Sequence, residues 1–515
     1  MKSLGRKEKE KALRVQGWSS SISVDPRFSK ENLATLTMSI QGDIVLPTDP
    51  SYQLDRQLTN NAFQSFPQLI VYCEVFSDVR QCLAFAQRCG LTVAVRSGGH
   101  STAGLSANDD MVIDLSRLRY VIVDPTGPTA VVGAGTTMGY LNAALDIYHL
   151  HVPGGSCHDV CVAGFMQGGG FGYTSRKFGM NCDNVVAVRI MLADGRIVVA
   201  NEKANRDLFW AVRGGTGGNF GILLEITYSL YVVKSVWAFR IQWPLGPAAD
   251  DVSRAGKLLA KIQGELTRKA PDELGYMTFL GWQGDLPYLI IRGMYVGSAE
   301  HGRALLQPLL DEPGGKLVND ESGTYAEMMH YLVSTAPDLP QVPDLAREDK
   351  QSGYIAKLLD AGDWRTIINE FLKTPNRSSM LAMEHYRGAI SKKSEDAMAF
   401  MHRDVDMDLY LDVFWMNEPE RVAAVAFLDR FMSFMERFFN GQSYQNYPRL
   451  SQTDYRRRYW GRFFGDLLAV KRKYDKKMFF RSAQDISPDP SRPEVDPVSA
   501  LPGLLDRIES ESNPV

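Results

Sequence analysis

The stretch "AVRSGGHSTAGLS", residues 94–106, ends an apolar run and then continues with Arg, Ser, Gly, Gly, His and Ser. Just before it, residues 77–89 carry apolar side chains on one helical face, Gly90 can end that helix, and residues 91–95 are β-prone. The sequence therefore predicts a helix, a strand and a loop at the end of the strand, where α/β proteins bind ligands. A buried strand has no use for this run of polar and glycine residues, and His100 is the residue in it whose side chain can do chemistry.

The composition limits the classes of function that the chain can have. Of its 515 residues 23% are charged and 44% are apolar, which is typical of a globular protein of two or more domains. A formal net charge of −3 gives no basic field for a nucleic-acid partner. No run of about 18 apolar residues predicts a membrane span, and a charged start without an apolar signal segment favours the cytoplasm.

Metal and nucleotide-triphosphate sites receive no support from the motifs. The six cysteines form no C-x-x-C pair, and we expect them to be reduced, with Cys161 and Cys182 serving as packing residues. The sequence contains no H-E-x-x-H pattern and no G-x-x-x-x-G-K-[ST] phosphate loop. We therefore predict no metal ligands.

Glycine is dense between Gly154 and Gly221, in the clusters "PGGSC", "GGGFG" and "RGGTGGNFG". Regular elements are predicted between these clusters, so the glycines lie in loops where the backbone can approach a flat or phosphorylated group. A nicotinamide-type Rossmann site is disfavoured, because Phe220 stands where the last glycine of G-x-G-x-x-G should be.

Residues 233–441 differ in composition from the part before them, with less glycine and more Trp, Tyr, Phe and Met. We interpret them as a separate α+β domain of long strands and amphipathic helices, one of which is predicted at 422–439. Proline and charge become enriched near the C-terminus, and residues 488–515 are predicted to be a loosely ordered tail.

Four motifs in order, "VRSGGHS", "PGGSCHDVCVAGFMQGGGFG", "DLFWAVRGGTGGNFGI" and "YQNYP", resemble the berberine-bridge-enzyme-like branch of the FAD-linked oxidases. This branch belongs to the vanillyl-alcohol-oxidase and p-cresol-methylhydroxylase superfamily. The resemblance implies a two-domain α+β fold, with an FAD-binding domain at 35–232 that is completed by a C-terminal return at 442–487. The substrate domain, built on an antiparallel sheet, would be the insertion at 233–441.

The resemblance also implies FAD as the cofactor and assigns the residues that hold it. His100 and Cys157 resemble the residues that bond covalently to the flavin 8α-methyl carbon and to C6, and both are nucleophiles suited to that chemistry. A hydrogen bond from His100 to phosphate, and simple packing for Cys157, are the alternatives. Backbone N–H groups would wrap the pyrophosphate at Arg96, Ser97, Gly98, Gly99 and Ser101. Flavin and adenine contacts are expected at Gly154, Gly155, Val160, Gly164, Gly168, Gly172, Asn219 and Ile222.

Two tyrosines in "SYQNYPR", residues 443–449, stand where the chain is expected to return to the flavin domain. Alcohol oxidation by flavin requires a base for the O–H proton, and a desolvated tyrosine can serve if neighbours lower its pKa. By resemblance to the family's Y-x-N-Y pattern, Tyr447 is the predicted base, while Tyr444 and Asn446 line or orient the flavin site. Interface packing is the alternative for both tyrosines.

Further candidates come from strands predicted in the insertion. Glu384 and Tyr386 in "MEHYRG", and Asp408, Tyr410 and Asp412 in "DLYLDVFW", alternate with a period of two, so each set can face one side of a sheet. Glu384 and Asp408 resemble positions of polar substrate contacts in the family and join the predicted catalytic residues. A solvated or purely structural position is the alternative for each.

The expected function is an FAD-linked oxidase that removes hydride from a hydroxyl-bearing small molecule and reduces O2 to H2O2. Val160 resembles the family's oxidase variant, in which a small side chain leaves room for O2. Sugars or oligosaccharides are the favoured substrates, and the alternative is a tailoring enzyme that oxidises an alcohol or amine of a natural product. A dehydrogenase with another acceptor, or a flavin-binding protein without turnover, stays open.

Overall fold

The computed structural model describes residues 25–246, 249–335 and 346–488, together with Val342 and residues 7, 10–12, 14 and 15. These residues form three principal sheets and one two-stranded ribbon, with helices between them. The predicted C-terminal tail lies outside the described residues, apart from its first position. No helix within the described ranges is long and apolar enough to cross a membrane.

The first sheet carries the loop of His100. Its four strands lie in the order β1-β2-β4-β3. Their bounds are β1 Asp43–Val45, β2 Leu69–Tyr72, β3 Val93–Arg96 and β4 Met111–Asp114. The predicted helix is confirmed at Phe76–Cys89 and ends at Gly90, which has the left-handed φ of +64°. The strand begins two residues later than predicted, and the loop leaves its C-terminal end next to β4.

The second sheet has five strands in the order β5-β6-β10-β8-β9, all antiparallel. The ribbon pairs β7 with β11. The bounds of these strands are β5 Val121–Asp124, β6 Thr129–Gly133, β7 Leu150–His151, β8 Val185–Met191, β9 Ile197–Asn201, β10 Ile222–Ser229 and β11 Tyr231–Val232. The glycine clusters are confirmed as loops between these elements, since strands and helices alternate with them along the chain.

The third sheet has seven antiparallel strands in the order β15-β12-β14-β13-β17-β18-β16. The bounds are β12 Val236–Pro244, β13 Leu274–Gln283, β14 Leu286–Tyr295, β15 Lys316–Gly323, β16 Arg347–Ile355, β17 Met380–His385 and β18 Met407–Trp415. An antiparallel sheet in this part of the chain confirms the predicted α+β class. Tyr386 falls just beyond β17, although it is fully buried.

The helices pack around these sheets. In the first half of the chain they are Lys30–Ser39, Tyr52–Asp55, Phe76–Cys89, Met138–Asp146, Val162–Gln167, Ser175–Phe178 and Arg206–Val212. With the third sheet are Ala249–Lys261, Ala299–Leu310, Tyr325–Ser334, Ala361–Phe371, Ala389–Lys392 and Glu418–Met435. The last two are Tyr455–Trp460 and Phe464–Tyr474. The helix predicted at 422–439 therefore begins and ends four residues earlier than expected.

The two faces of the third sheet pack against different cores. Along β13, Leu274, Tyr276 and Leu280 belong to a core formed with the sheet's own helices. Met277 and Phe279, on the opposite face, join the core that includes the first two sheets. Because side chains alternate along a strand, one face of the third sheet is directed at the half of the chain that carries the first two sheets and is predicted to bind flavin.

A buried ion pair joins the two parts. Arg403 donates from its two Nη atoms to the carboxylate of Asp183, each at 2.8 Å, and both side chains are at most 2% exposed. Removing one member of a buried pair leaves a desolvated charge without its partner. We expect Arg403→Met to lower the free energy of unfolding by about 3–5 kcal/mol, measured by chemical denaturation. The matched control is Arg421→Met, which breaks a surface pair with Glu418. An equal effect of the two variants would contradict the prediction.

Candidate active site

The loop of residues 97–101 follows β3 and is built to receive an anion. Within the described part of the chain, the backbone N–H groups of these residues donate no hydrogen bond to another protein group. Gly99 has a left-handed φ of +71°, which turns the backbone at the centre of the loop. A cavity of about 300 Å³ borders it, lined by Leu54, Asp55, Gln57, Tyr72, Arg96, Ser97, Gly98, Gly99, Asp114 and Ser116. Free amides around such a cavity form an anion-binding nest.

Arg96 supplies a positive charge beside this nest. Its Nε donates to Asp114, its cross-strand partner on β4, while its buried Nη1 has no hydrogen-bond partner among the described residues. A buried N–H without a partner carries a desolvation cost that an anionic ligand would remove. These residues fit the diphosphate of FAD.

The loop of His100 lies against the loop of Cys157. His100 Nε2 is 3.0 Å from Asp159 Oδ2, and a methyl group at Gly98 would lie 3.1 Å from the Cys161 nitrogen. The Cys157 side chain reaches solvent, yet enough protein surrounds it to raise the pKa of its thiol, and the positive charge of Lys350 opposes that rise. The fold thus brings the two predicted attachment residues to adjacent loops.

The other predicted glycines shape the space next to these loops. A methyl group at Gly172 would lie 1.9 Å from the carbonyl oxygen of Gly154, and one at Gly168 would lie 2.0 Å from Asn446 Oδ1. Gly164, on the short helix that follows Val160 and Cys161, is exposed, and no atom lies within 4 Å of its Cβ direction. The close approaches require glycine, while Gly164 leaves a face open to a flat ligand.

Tyr444 holds the glycine-rich loop in place. Its hydroxyl oxygen accepts hydrogen bonds from the N–H groups of Gly170 and Phe171, at 2.9 and 3.2 Å. Asn446 donates from Nδ2 to the same oxygen at 3.0 Å and to the Phe165 carbonyl at 2.9 Å. Tyr444 is therefore a positioning residue, because its hydroxyl is already bonded to the loop.

Asn219 and Ile222 are held inside the protein. The Asn219 side chain donates to the Gly215 carbonyl at 3.0 Å and accepts from the Ile486 N–H at 2.9 Å. Ile222 is fully buried at the start of β10. Any contact of Asn219 with the cofactor would therefore use its backbone, because its amide is committed to other parts of the chain.

Tyr447 and Glu384, two of the residues predicted to be catalytic, are joined by a short hydrogen bond. The Tyr447 hydroxyl donates to Glu384 Oε1 at 2.5 Å, which joins the C-terminal return to β17. Burial raises the pKa of Glu384 to about 7, while the hydrogen bond from Tyr447 and the charge of Lys350 oppose the rise. Tyr447 is partly exposed, so the pair reaches accessible space at one end. The pair can accept a proton near neutral pH.

Asp408 lies directly opposite Glu384 in the register of β17 and β18. It is fully buried, and burial together with the negative charge of Glu384 raises its pKa well above the ordinary value. Asp408 is therefore a neutral acid when Glu384 is charged. Two adjacent carboxylates resist being ionised together, so the proton stays on the fully buried Asp408 while Glu384 is charged.

Lys350 on β16 is a site residue that the sequence analysis missed. Its Nζ lies 2.9 Å from Glu348 and 2.8 Å from Asp412, and it is 5.0 Å from the centre of the Tyr447 ring. Burial opposes the charged ammonium, yet Asp412 and Glu348 hold the pKa of Lys350 well above its ordinary value. Glu348, Lys350 and Ser352 alternate along the strand. That period of two was the signal that could have identified it.

The chain matches two family models. Residues 67–201 match the FAD binding domain model, and residues 443–487 match the model described as berberine and berberine like. The first match contains β3, the loop of His100 and the loop of Cys157. The second contains Tyr444, Asn446 and Tyr447.

Proteins of similar sequence and structure carry related names. An uncharacterized FAD-linked oxidoreductase of Bacillus subtilis, YgaK, is 27% identical over 87% of this chain and 97% of its own length. Berberine bridge enzyme-like 12 of Arabidopsis thaliana is 28% identical over 88% of this chain and 92% of its own. The structure of berberine bridge enzyme from Eschscholzia californica superimposes with a TM-score of 0.80 at 25% identity, covering 89% of this chain and 99% of that one.

Proposed function

The chain belongs to the berberine-bridge-enzyme-like family of FAD-linked oxidoreductases, and from this premise we propose that it oxidises a hydroxyl group of a small molecule. Tyr447 and Glu384 are the proton-accepting pair. The observation that carries the proposal is the 2.5 Å hydrogen bond from the Tyr447 hydroxyl to Glu384, at the meeting point of the third sheet and the C-terminal return.

The residues of the chain move the proton as follows. The substrate hydroxyl proton passes to Tyr447 Oη while the Tyr447 proton passes to Glu384 Oε1, so the carboxylate is the final acceptor. Because the pKa of Glu384 is raised to about 7, much of it is ionised at neutral pH and it still has useful proton affinity. FAD, held by Arg96 and the nest at residues 97–101, would supply the acceptor for the two electrons and the hydride of the substrate carbon, with O2 as the final acceptor and H2O2 as the product.

The nest at residues 97–101 and Arg96 would hold the diphosphate, and His100 and Cys157 would each form a covalent bond to the flavin. The adjacency of their two loops supports attachment at two points. Cys157 reacts as a thiolate, and the positive charges of Lys350 and Arg292 favour that form against the effect of burial.

The favoured substrate class is a sugar, an oligosaccharide or a glycosylated compound. The ring of Tyr447 supports it, because this ring is partly exposed and offers an apolar face to a sugar, while Tyr410 and Tyr444 pack beside it with ring centres at 4.7 and 5.0 Å. The second candidate is a tailoring oxidase that acts on an alcohol or amine of a natural product, and the same aromatic surfaces suit a polycyclic substrate. A dehydrogenase using another acceptor is the third.

The test of oxidase function separates flavin reduction from oxygen use. We expect the holoenzyme, mixed without oxygen with a panel of sugars and aromatic alcohols, to lose its flavin colour and to regain it in air with formation of H2O2. Val160→Leu adds bulk where O2 is proposed to enter, so it should slow reoxidation and leave the anaerobic step in place. Val160→Ala is the matched control, because it adds no bulk. Bleaching that air does not reverse in the wild type would identify a dehydrogenase, and no bleaching with any panel compound would count against alcohol oxidation.

A further inference from the structure

A row of five paired residues, four of them charged or acidic, crosses the third sheet on the face directed at the half predicted to bind flavin. Cross-strand pairing runs from Arg240 to Arg292, then to Met277, Glu384 and Asp408. Residues paired in this way project from the same face of a sheet. The row therefore has two arginines at one end and the two carboxyl groups at the other, with Met277 between them.

Arg292 is a buried cation without a counter-charge in the described part of the chain. Arg292 is only 6% exposed, and no carboxylate among the described residues lies within ion-pair distance of its guanidinium. Its Nε donates to the Tyr173 hydroxyl at 2.7 Å. The ring of Phe279 lies 5.1 Å from the guanidinium carbon. The two Nη atoms donate to no described group, and neither is fully enclosed, so they face accessible space.

The surroundings of Arg292 place that space beside the candidate active site. Arg292 is bonded to Tyr173, which directly follows the glycine cluster of residues 168–172, so it lies at a loop proposed to line the flavin. Met277 separates it from Glu384, which puts the two residue positions about two strand spacings, or roughly 10 Å, apart. The diphosphate already has its own nest at residues 97–101.

We propose that Arg292 binds a carboxylate on the substrate itself, so that the enzyme acts on a hydroxyl compound which also carries an acidic group. A guanidinium presents paired N–H donors that match a carboxylate in two parallel hydrogen bonds. A buried cation without a counter-charge among the described residues is costly to keep, and a ligand carboxylate would neutralise it. The inference rests on the proposed function, because it takes Tyr447 and Glu384 as the oxidising end of the pocket.

The test compares two nearly isosteric probes, 4-(hydroxymethyl)benzoate and 4-(hydroxymethyl)benzamide. Binding to the full-length holoenzyme is measured by calorimetry and by the change in the flavin spectrum. We expect the benzoate to bind about tenfold or more tightly than the benzamide, and Arg292→Gln to abolish the difference. Arg292→Lys should keep part of it. Arg196→Gln, which removes an exposed charge paired with Asp194, should leave it unchanged.

The remaining outcomes separate the two proposals. Equal affinity for the two probes, or discrimination that survives Arg292→Gln, would overturn the carboxylate site while leaving alcohol oxidation intact. Because Arg292→Gln and Arg292→Met remove a buried charge that has no counter-charge in the described part of the chain, both should unfold thermally no earlier than the wild type. A large loss of stability in both, with a changed flavin spectrum and no probe discrimination, would make Arg292 a structural or flavin-contacting residue instead. Failure of the proposed function would appear separately, as wild-type enzyme that binds the benzoate but is never reduced by any alcohol.

Discussion

Tyr447→Phe should lower kcat/KM for the identified alcohol substrate by about 10²- to 10⁴-fold, while the protein stays folded and yellow. The variant keeps the ring and its packing against Tyr410 and Tyr444 but lacks the hydroxyl that links substrate to Glu384. The measurement is the rate of anaerobic flavin reduction, which excludes any effect on the oxygen step.

A second tyrosine–glutamate pair in the same chain provides the control. Tyr120 Oη donates to Glu225 at 2.7 Å in the second sheet, so Tyr120→Phe removes a comparable hydrogen bond away from the proposed site. We expect Tyr120→Phe to leave kcat/KM unchanged. If Tyr447→Phe retained the wild-type rate of flavin reduction, the proton-accepting role of Tyr447 would be wrong.

The pH dependence identifies the final proton acceptor. A carboxyl group is an effective base only when ionised, and burial raises the pKa of Glu384 to about 7. We therefore expect kcat/KM to rise with pH through about 7 and then to level off. Glu384→Gln should lower the activity and remove this rise, whereas Glu384→Asp should retain part of it. A profile unchanged in Glu384→Gln would assign the titration to another group.

Complete release of the flavin is expected only when both attachment residues are removed. After acid denaturation, the wild type, His100→Ala and Cys157→Ala should each keep the yellow colour in the precipitate, because one covalent bond suffices to hold the cofactor. His100→Ala combined with Cys157→Ala should release it into the supernatant. Mass spectrometry of the intact chain measures covalent attachment directly, because a chain that carries the cofactor is heavier by the mass of one FAD.

Cys161→Ala is the matched control for this experiment. Cys161 lies four residues after Cys157, is buried, and its thiol pKa is raised to about 12 by burial, so it should be unreactive. Adding Cys161→Ala to either His100→Ala or Cys157→Ala should leave the amount of covalently bound flavin unchanged. Wild-type protein that released all of its flavin in acid would show that neither bond forms.

Much of the fold could be predicted from the sequence, because its signals are local. The helix at Phe76–Cys89 has one apolar face and ends at a glycine with a positive φ, and these two features depend on neighbouring residues alone. The same holds for β5 and β6, where alternating residues flank a Pro/Gly turn. The boundaries shifted by a few residues, as with the strand at Val93–Arg96, since terminal residues are set by strand pairing.

The residues of the candidate site also fall into those predicted from local motifs and those found only in the structure. Family-like motifs in the sequence pointed to His100, Cys157 and Tyr447, because those motifs are contiguous. Lys350 and Arg292 were missed, because each lies in a strand without a recognisable motif. Their importance depends on which residues lie opposite them in the neighbouring strands. A shift of one position in register would turn either side chain to the other face of the sheet. The sequence by itself determined the α+β class and the glycine-rich loops, and it predicted the tyrosine of the candidate site. Only the tertiary structure decided that Glu384 meets Tyr447, 63 residues later, and that Arg292 faces no counter-charge among the described residues, because cross-strand register is a property of the assembled sheet.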